Sequence, residues 1–166
     1  MAAAAAVLVG TVLGSCADEA GEDLGATDLD PATAEVEYRF NDSSVAPEYH
    51  RSYTITVRGG EARMVVDSYG DELHDVTEPV DDEVWTDLLA RVAALPPTGG
   101  EPSDDCTGGT SRELQATDVE HPPGDPAVLV RAAPCGGEGE EDADAIDAAV
   151  EPVVALFDTE ELLATG

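Results

Sequence analysis

The chain contains no lysine, only three cysteines and few aromatic residues, and these low counts limit the classes of function that it can have. All seven basic residues are arginines, against 37 acidic residues, and the formal net charge is −30. So acidic a surface repels nucleic-acid phosphates and anionic lipid headgroups, which argues against nucleic-acid binding. Cations or a basic protein partner would be attracted instead.

The sequence also lacks the patterns of common catalytic and metal sites. Serine-nucleophile motifs, phosphate-binding glycine loops, HExxH helices and CxxC pairs are all absent. Glu140, Asp142, Asp144 and Glu151 have EF-hand spacing, but Ala145 stands where that loop requires glycine. We interpret this stretch as the acidic N-terminus of a helix and predict neither a metal nor a cofactor.

The most specific pattern lies near the N-terminus. An uncharged apolar run from Ala2 to Leu13 is much shorter than the roughly 20 residues that span a bilayer. It closes on Leu13-Gly14-Ser15-Cys16, which is an aliphatic residue, two small residues and a cysteine. The segment resembles the lipobox signal peptide of bacterial lipoproteins, in which this cysteine becomes the first residue and carries diacylglycerol.

The resemblance implies a cellular location rather than an activity. Residues 1–15 would be a removed signal peptide, and Cys16 would anchor the protein to the cell membrane on its extracytoplasmic side, either periplasmic or extracellular. The alternative is a buried Ala-rich helix, which Gly10, Thr11 and Gly14 disfavour. In such an oxidising compartment the remaining pair, Cys106 and Cys135, is expected to form a disulfide.

Composition divides the rest of the chain into two parts. Residues 16–34 are acidic, rich in small residues and free of aromatics, so they predict a flexible tether. Residues 35–166 are long enough for a single domain with a hydrophobic core.

The strongest structural signal is a β-hairpin around Gly59-Gly60. A two-residue turn there fixes the register, pairing Arg58 with Glu61, Ile55 with Met64 and Ser52 with Asp67. The apolar side chains of both strands then share one face of the sheet, which makes this hairpin the centre of the predicted core.

Other elements follow from periodicity. Val36, Tyr38 and Phe40 alternate with polar residues as in a strand, and the segments 113–117 and 127–131 predict two further strands. A helix is predicted from Asp81, its N-cap, to Leu95, with Trp85 in its apolar stripe. A C-terminal helix should be kinked or restarted at Pro152, with a short turn after Asp158.

These elements predict one α+β domain. We expect an antiparallel sheet of about four or five strands, with two or three helices packed on one of its faces.

One polar cluster is a candidate surface site. The hairpin register, extended, places His50 opposite Tyr69 and Ser52 opposite Asp67 on the face away from the core, with Tyr49 and His74 nearby in sequence. We interpret this cluster as a partner-binding strand end.

The sequence therefore favours a non-enzymatic binding or interaction module at the cell envelope. One alternative is an envelope hydrolase that uses His50, Asp67 and His74. Another is an inhibitor of an extracellular enzyme that presents the Gly-rich loops around Cys106 and Cys135.

Overall fold

A computed structural model describes residues 29–96, 108–134 and 139–164. These residues form a six-stranded antiparallel sheet with three helices, so the predicted α+β class is confirmed. Across the sheet the strands lie in the order β4-β3-β2-β1-β5-β6. Along the chain the elements are β1 (Glu35–Asn41), β2 (Ser52–Arg58), β3 (Glu61–Ser68), β4 (Asp71–Pro79), α1 (Asp82–Ala93), β5 (Ser111–Thr117), β6 (Val128–Ala132), α2 (Glu140–Val154) and α3 (Thr159–Leu162).

The hairpin of β2 and β3 has the predicted register. Arg58 pairs with Glu61, Ile55 with Met64 and Ser52 with Asp67. Gly59 and Gly60 both have positive φ, 60° and 81°, the backbone conformation that a two-residue turn of this kind needs. Because this turn sets which residues face the core, it also positions the rest of the sheet.

The prediction of four or five strands is wrong, because the described sheet has a sixth strand, β4. This strand, which is absent from the elements predicted from the sequence, pairs with β3 and forms an edge of the sheet. Its residues are mostly exposed on both faces, so it lacks the apolar alternation that marks a half-buried strand. The turn before it is formed by Tyr69 (φ 52°) and Gly70 (φ 91°), a pair with no Asn-Gly signature.

The core lies between one face of the sheet and the helices. Alternate strand residues such as Val36, Ile55 and Leu114 are buried there and are at most 1% exposed. Leu88 of α1 and Val150 of α2 line one small cavity together with Val36 and Ile55, so both helices cover the same face. We call the opposite face of the sheet the outer face.

The N-terminus of α1 follows the sequence prediction, whereas the helix ends at Ala93 rather than Leu95. The side chain of Asp81 accepts a hydrogen bond from the backbone N–H of Val84 (2.9 Å) and caps α1. Asp158 caps α3 in the same way through Glu161. Each cap satisfies a backbone N–H group that has no partner within its helix.

Pro152 lies inside the last turn of α2 rather than beginning a new helix. A proline has no N–H group, so it cannot donate to the carbonyl four residues earlier, that of Ala148. Nη1 of Arg91 in α1 donates to this carbonyl oxygen at 3.0 Å. The hydrogen bond lost to the proline is thus replaced by one that joins the two helices.

The folded part of the chain includes residues 29–34, which the sequence interpretation placed in the tether. Leu29 and Ala34 are buried in the core. Nε1 of Trp85, which is half-buried at the core margin, donates to the carbonyl oxygen of Pro31 at 3.1 Å. The segment is therefore packed against α1 before β1 begins.

Asp118 fixes the turn between β5 and β6. Its carboxylate accepts hydrogen bonds from the backbone N–H groups of Glu120 (2.9 Å), His121 (2.8 Å) and Asp30 (3.4 Å), and its Oδ1 lies 2.9 Å from Nδ1 of His121. Burial alone would raise the pKa of Asp118, but the hydrogen bonds outweigh burial and hold the pKa below its usual value. This carboxylate therefore connects the segment before β1, through Asp30, to the turn between β5 and β6.

We expect Asp118→Asn to lower the free energy of unfolding at neutral pH, because the charged acceptor of three N–H groups is lost. A folded-state pKa below the unfolded one stabilises the protein above the unfolded pKa, and this contribution disappears as the pH falls through the folded pKa. The difference between wild type and variant should therefore shrink between neutral pH and about pH 3 in urea denaturation. Asp125→Asn, an exposed aspartate of the same turn, is the control; a pH-independent difference for Asp118→Asn would contradict this assignment.

Candidate functional site

His50 and Tyr69, which the register placed opposite each other, do meet in the structure. Their rings stack with centroids 3.9 Å apart and an interplanar angle of 22°. His50 is only 5% exposed, while Tyr69 lies over it and is exposed. His50 is thus a buried packing group beneath Tyr69 rather than an accessible side chain at a strand end.

The loop between β1 and β2 is what buries His50. Asp42 connects the start of this loop to its end through two hydrogen bonds. Its N–H donates to Oγ of Ser52 (3.0 Å), and its carboxylate accepts from the N–H of Arg51 (2.9 Å). The hydroxyl of Tyr69 donates to the carbonyl oxygen of Val45 (2.6 Å), and that of Ser68 donates to Pro47 (2.8 Å). These bonds hold the loop down over the end of the hairpin.

The other members of the predicted cluster point elsewhere. The carboxylate of Asp67 accepts from the N–H of Gly70 (2.8 Å), and His74 pairs with Val66, whose side chain faces the helices. His74 therefore lies on the opposite face of the sheet from His50, and Tyr49 is exposed to solvent.

A serine does lie near the buried imidazole. Nε2 of His50 is 3.3 Å from Oγ of Ser52, but both residues are buried, so a solute cannot reach this pair. Nδ1 of His50 is buried with no hydrogen-bond partner among the described residues. The arrangement orders the loop and does not present a base and nucleophile to a substrate.

The outer face of the sheet carries a ladder of ion pairs, three of which join neighbouring strands and one of which lies within β1. Arg63 forms a bidentate pair with Asp75, both contacts at 2.8 Å. The other pairs on this face join Arg58 to Glu35, Arg39 to Glu37, and Arg131 to Glu113. Four of the seven arginines of the chain lie here, and no described helix covers them.

The charged residues of the described helices, in contrast, are mainly acidic. The first turns of α1, α2 and α3 are acidic, and α2 carries no basic residue along its length. Among the described residues the helices are therefore predominantly acidic, whereas each of the four arginines of the outer face is paired with a carboxylate. A protein partner that approaches the outer face therefore encounters charges of both signs.

On the helix side, an aromatic pocket opens between the sheet and the C-terminal half of α2. Its volume is about 310 Å³. Tyr38 and Phe40 of β1 and Tyr53 of β2 line its floor, and Phe157 and Val154 line its wall. Tyr53 stacks on Phe40 (centroids 5.2 Å apart) and meets Tyr38 edge to face (5.9 Å).

An ion pair lies at the rim of the aromatic pocket. Nε and Nη2 of Arg112 each approach Oδ2 of Asp147 at 3.2 Å, and the hydroxyl of Tyr38 donates to Oδ1 of Asp147 at 2.7 Å. The guanidinium of Arg112 also lies over the ring of Phe40, 5.0 Å from its centroid. Burial, Tyr53 and Asp147 together raise the pKa of Tyr38 far above its usual value, so this hydroxyl remains a donor.

Sequence reasoning missed the aromatic pocket. The alternation of Tyr38 and Phe40 was recognised as a strand, but their pairing with β2 and β5 joins residues far apart in the chain. One signal was available: Arg112 occupies a core-facing position of β5, directly opposite Phe40, where a charged residue requires a partner.

Several sequence predictions fall outside the described residues. These are the signal peptide over residues 1–15, the lipidated Cys16, residues 16–28 of the tether, and the disulfide of Cys106 and Cys135. Within the described ranges, no helix is long and apolar enough to cross a membrane. The same ranges hold no cluster of three or more His, Cys, Asp or Glu side chains arranged to bind a metal.

No protein-family model matches the chain, and a search of curated proteins finds no match.

Proposed function

We propose that this protein is a non-enzymatic binding module, held by lipid on the extracytoplasmic side of a cell membrane, that docks a protein partner on the outer face of its sheet. The observation that carries this proposal is the ladder of paired charges on a sheet face that no described helix covers. The lipobox resemblance at Leu13-Gly14-Ser15-Cys16 supports the location.

The outer face suits a partner for three reasons. It is formed by six strands held in fixed register, so the side chains that a partner would meet are pre-ordered. Thr54, Thr56 and Val65 supply small, half-buried contact area between the ion pairs. The paired charges on the face favour a partner with a complementary arrangement of charges, which gives specificity rather than general adhesion.

A photoreactive residue on the outer face of the full-length protein tests the proposal on intact cells. Substituted for Thr56 in the centre of that face, it should yield a crosslinked adduct of one discrete mass. Arg63→Glu should abolish this adduct, because it breaks the pair with Asp75 and places like charges together. The fold should survive that change, since exposed ion pairs contribute little to stability.

Thr86 on the exposed side of α1 provides the matched control, because it is also a threonine and lies on the opposite layer. The same probe at Thr86 should give no adduct of that mass. Equal crosslinking at the two positions, or an adduct at Thr56 that persists in Arg63→Glu, would contradict docking on the outer face.

A further inference from the structure

The aromatic pocket lies on the other side of the sheet from the proposed partner surface. It is large enough for a small ligand, since its 310 Å³ is at the lower end of the range for ligand pockets. It also combines an apolar, aromatic floor with a few convergent polar groups, which is the usual composition of a ligand site.

The carboxylate of Asp147 retains capacity for a ligand. It accepts from the Tyr38 hydroxyl and from Arg112, whereas a carboxylate has about four acceptor positions. The side chain of Asp147 is 41% exposed and that of Arg112 is 17% exposed, so the ion pair is open on the pocket side. Thr159 adds a hydroxyl to the same lining.

The charges of the pocket exclude several ligand classes. An organic cation would have to displace Arg112, which already occupies both the carboxylate of Asp147 and the face of Phe40. An anion would be repelled, because Glu151 adds a second carboxylate to the lining against a single guanidinium. A hydrocarbon would remove water from Asp147 and Arg112 without replacing its hydrogen bonds, which is costly.

The remaining class is uncharged, with an apolar face for the aromatic floor and hydroxyl groups for the rim. We propose that the aromatic pocket binds a single uncharged, hydroxylated ring, the chemistry of a sugar residue. The apolar face of the ring would lie on Tyr53, and its hydroxyls would donate to Asp147 and accept from Arg112.

Saturation-transfer NMR on the full-length protein tests the proposal with probes of similar size and different charge. The neutral probes are the methyl glycosides of glucose, galactose and N-acetylglucosamine; benzamidinium is the cation and benzoate the anion. At least one methyl glycoside should bind, and both charged probes should bind at least about tenfold more weakly. A disaccharide ending in the same ring distinguishes a free sugar from a glycan end, and binding by either form supports the proposal.

Two variants assign the binding to this pocket. Ala155 lies exposed at the pocket lining, so Ala155→Trp should fill the pocket and weaken glycoside binding by at least about tenfold. Ala90→Trp, at an exposed alanine of α1 outside the lining of this pocket, should leave binding unchanged. Circular dichroism checks that both variants are folded.

Asp147→Asn provides a second, qualitatively different readout. Removing the carboxylate leaves the guanidinium of Arg112 without its ion-pair partner, so glycoside binding should weaken while benzoate binding should appear. Asp144→Asn, an exposed aspartate on the same helix, should change neither. Failure of all three methyl glycosides to bind at tens of millimolar, tighter binding of benzamidinium, or glycoside binding that Ala155→Trp does not weaken would overturn the proposal.

Discussion

Leu114→Ala is expected to lower the free energy of unfolding by about 3 kcal/mol, within the range for a buried leucine. Leu114 is 0% exposed and lies in β5, paired with Tyr38 on one side and Val130 on the other. Truncation removes buried apolar atoms and leaves a cavity that the paired strands and α2 cannot close. Urea denaturation followed by circular dichroism measures the loss.

Leu129 is the matched control for this variant. It lies in the adjacent strand β6, but its side chain points to the outer face and is 38% exposed. Leu129→Ala should therefore change stability by less than about 0.5 kcal/mol. Similar losses for both variants would mean that the alternation of β5 and β6 between core and solvent has been assigned wrongly.

Cys16→Ala should abolish incorporation of lipid, which is close to an all-or-none effect. If the lipobox resemblance holds, Cys16 is the only point of thioether attachment, and no other residue can replace a thiol in that bond. Growing cells with a clickable fatty-acid analogue and comparing label on the wild type with label on the variant measures this directly. The variant should also leave the membrane fraction, because its anchor is missing.

Cys106→Ala serves as the control, since it removes a different thiol and should leave labelling intact. If Cys16→Ala carried as much label as the wild type, lipidation at this position would be disproved. The same result would remove the support for an extracytoplasmic location and for a disulfide between Cys106 and Cys135.

The sequence predicted the structure correctly where the determining contacts join residues that are close together in the chain. Gly59-Gly60 specifies a turn type, the turn type specifies the register, and alternation then assigns each side chain of β2 and β3 to a face. The caps at Asp81 and Asp158 were likewise predictable, because each bonds to a backbone N–H only three residues away.

Prediction failed where long-range contacts decide the structure. β4 is a strand because β3 offers it hydrogen bonds, and its own polar residues give no periodic signal. His50 was expected at an exposed strand end, but Asp42 and Tyr69 close the preceding loop over it through contacts that composition does not encode. For the same reason, the aromatic pocket appears only when β1, β2, β5 and α2 are assembled.

The bond from Arg91 to the carbonyl of Ala148 limits how the aromatic pocket can change shape. Arg91 also pairs with Asp87 in its own helix, so one guanidinium ties α1 to α2 just before Pro152. We therefore expect α1 and α2 to move together as one rigid body relative to the sheet. Any widening that admits a ligand should then come from residues 155–164, whose short helix α3 buries only Leu162. Slower amide exchange confined to that terminal segment would be the dynamic signature of an occupied pocket.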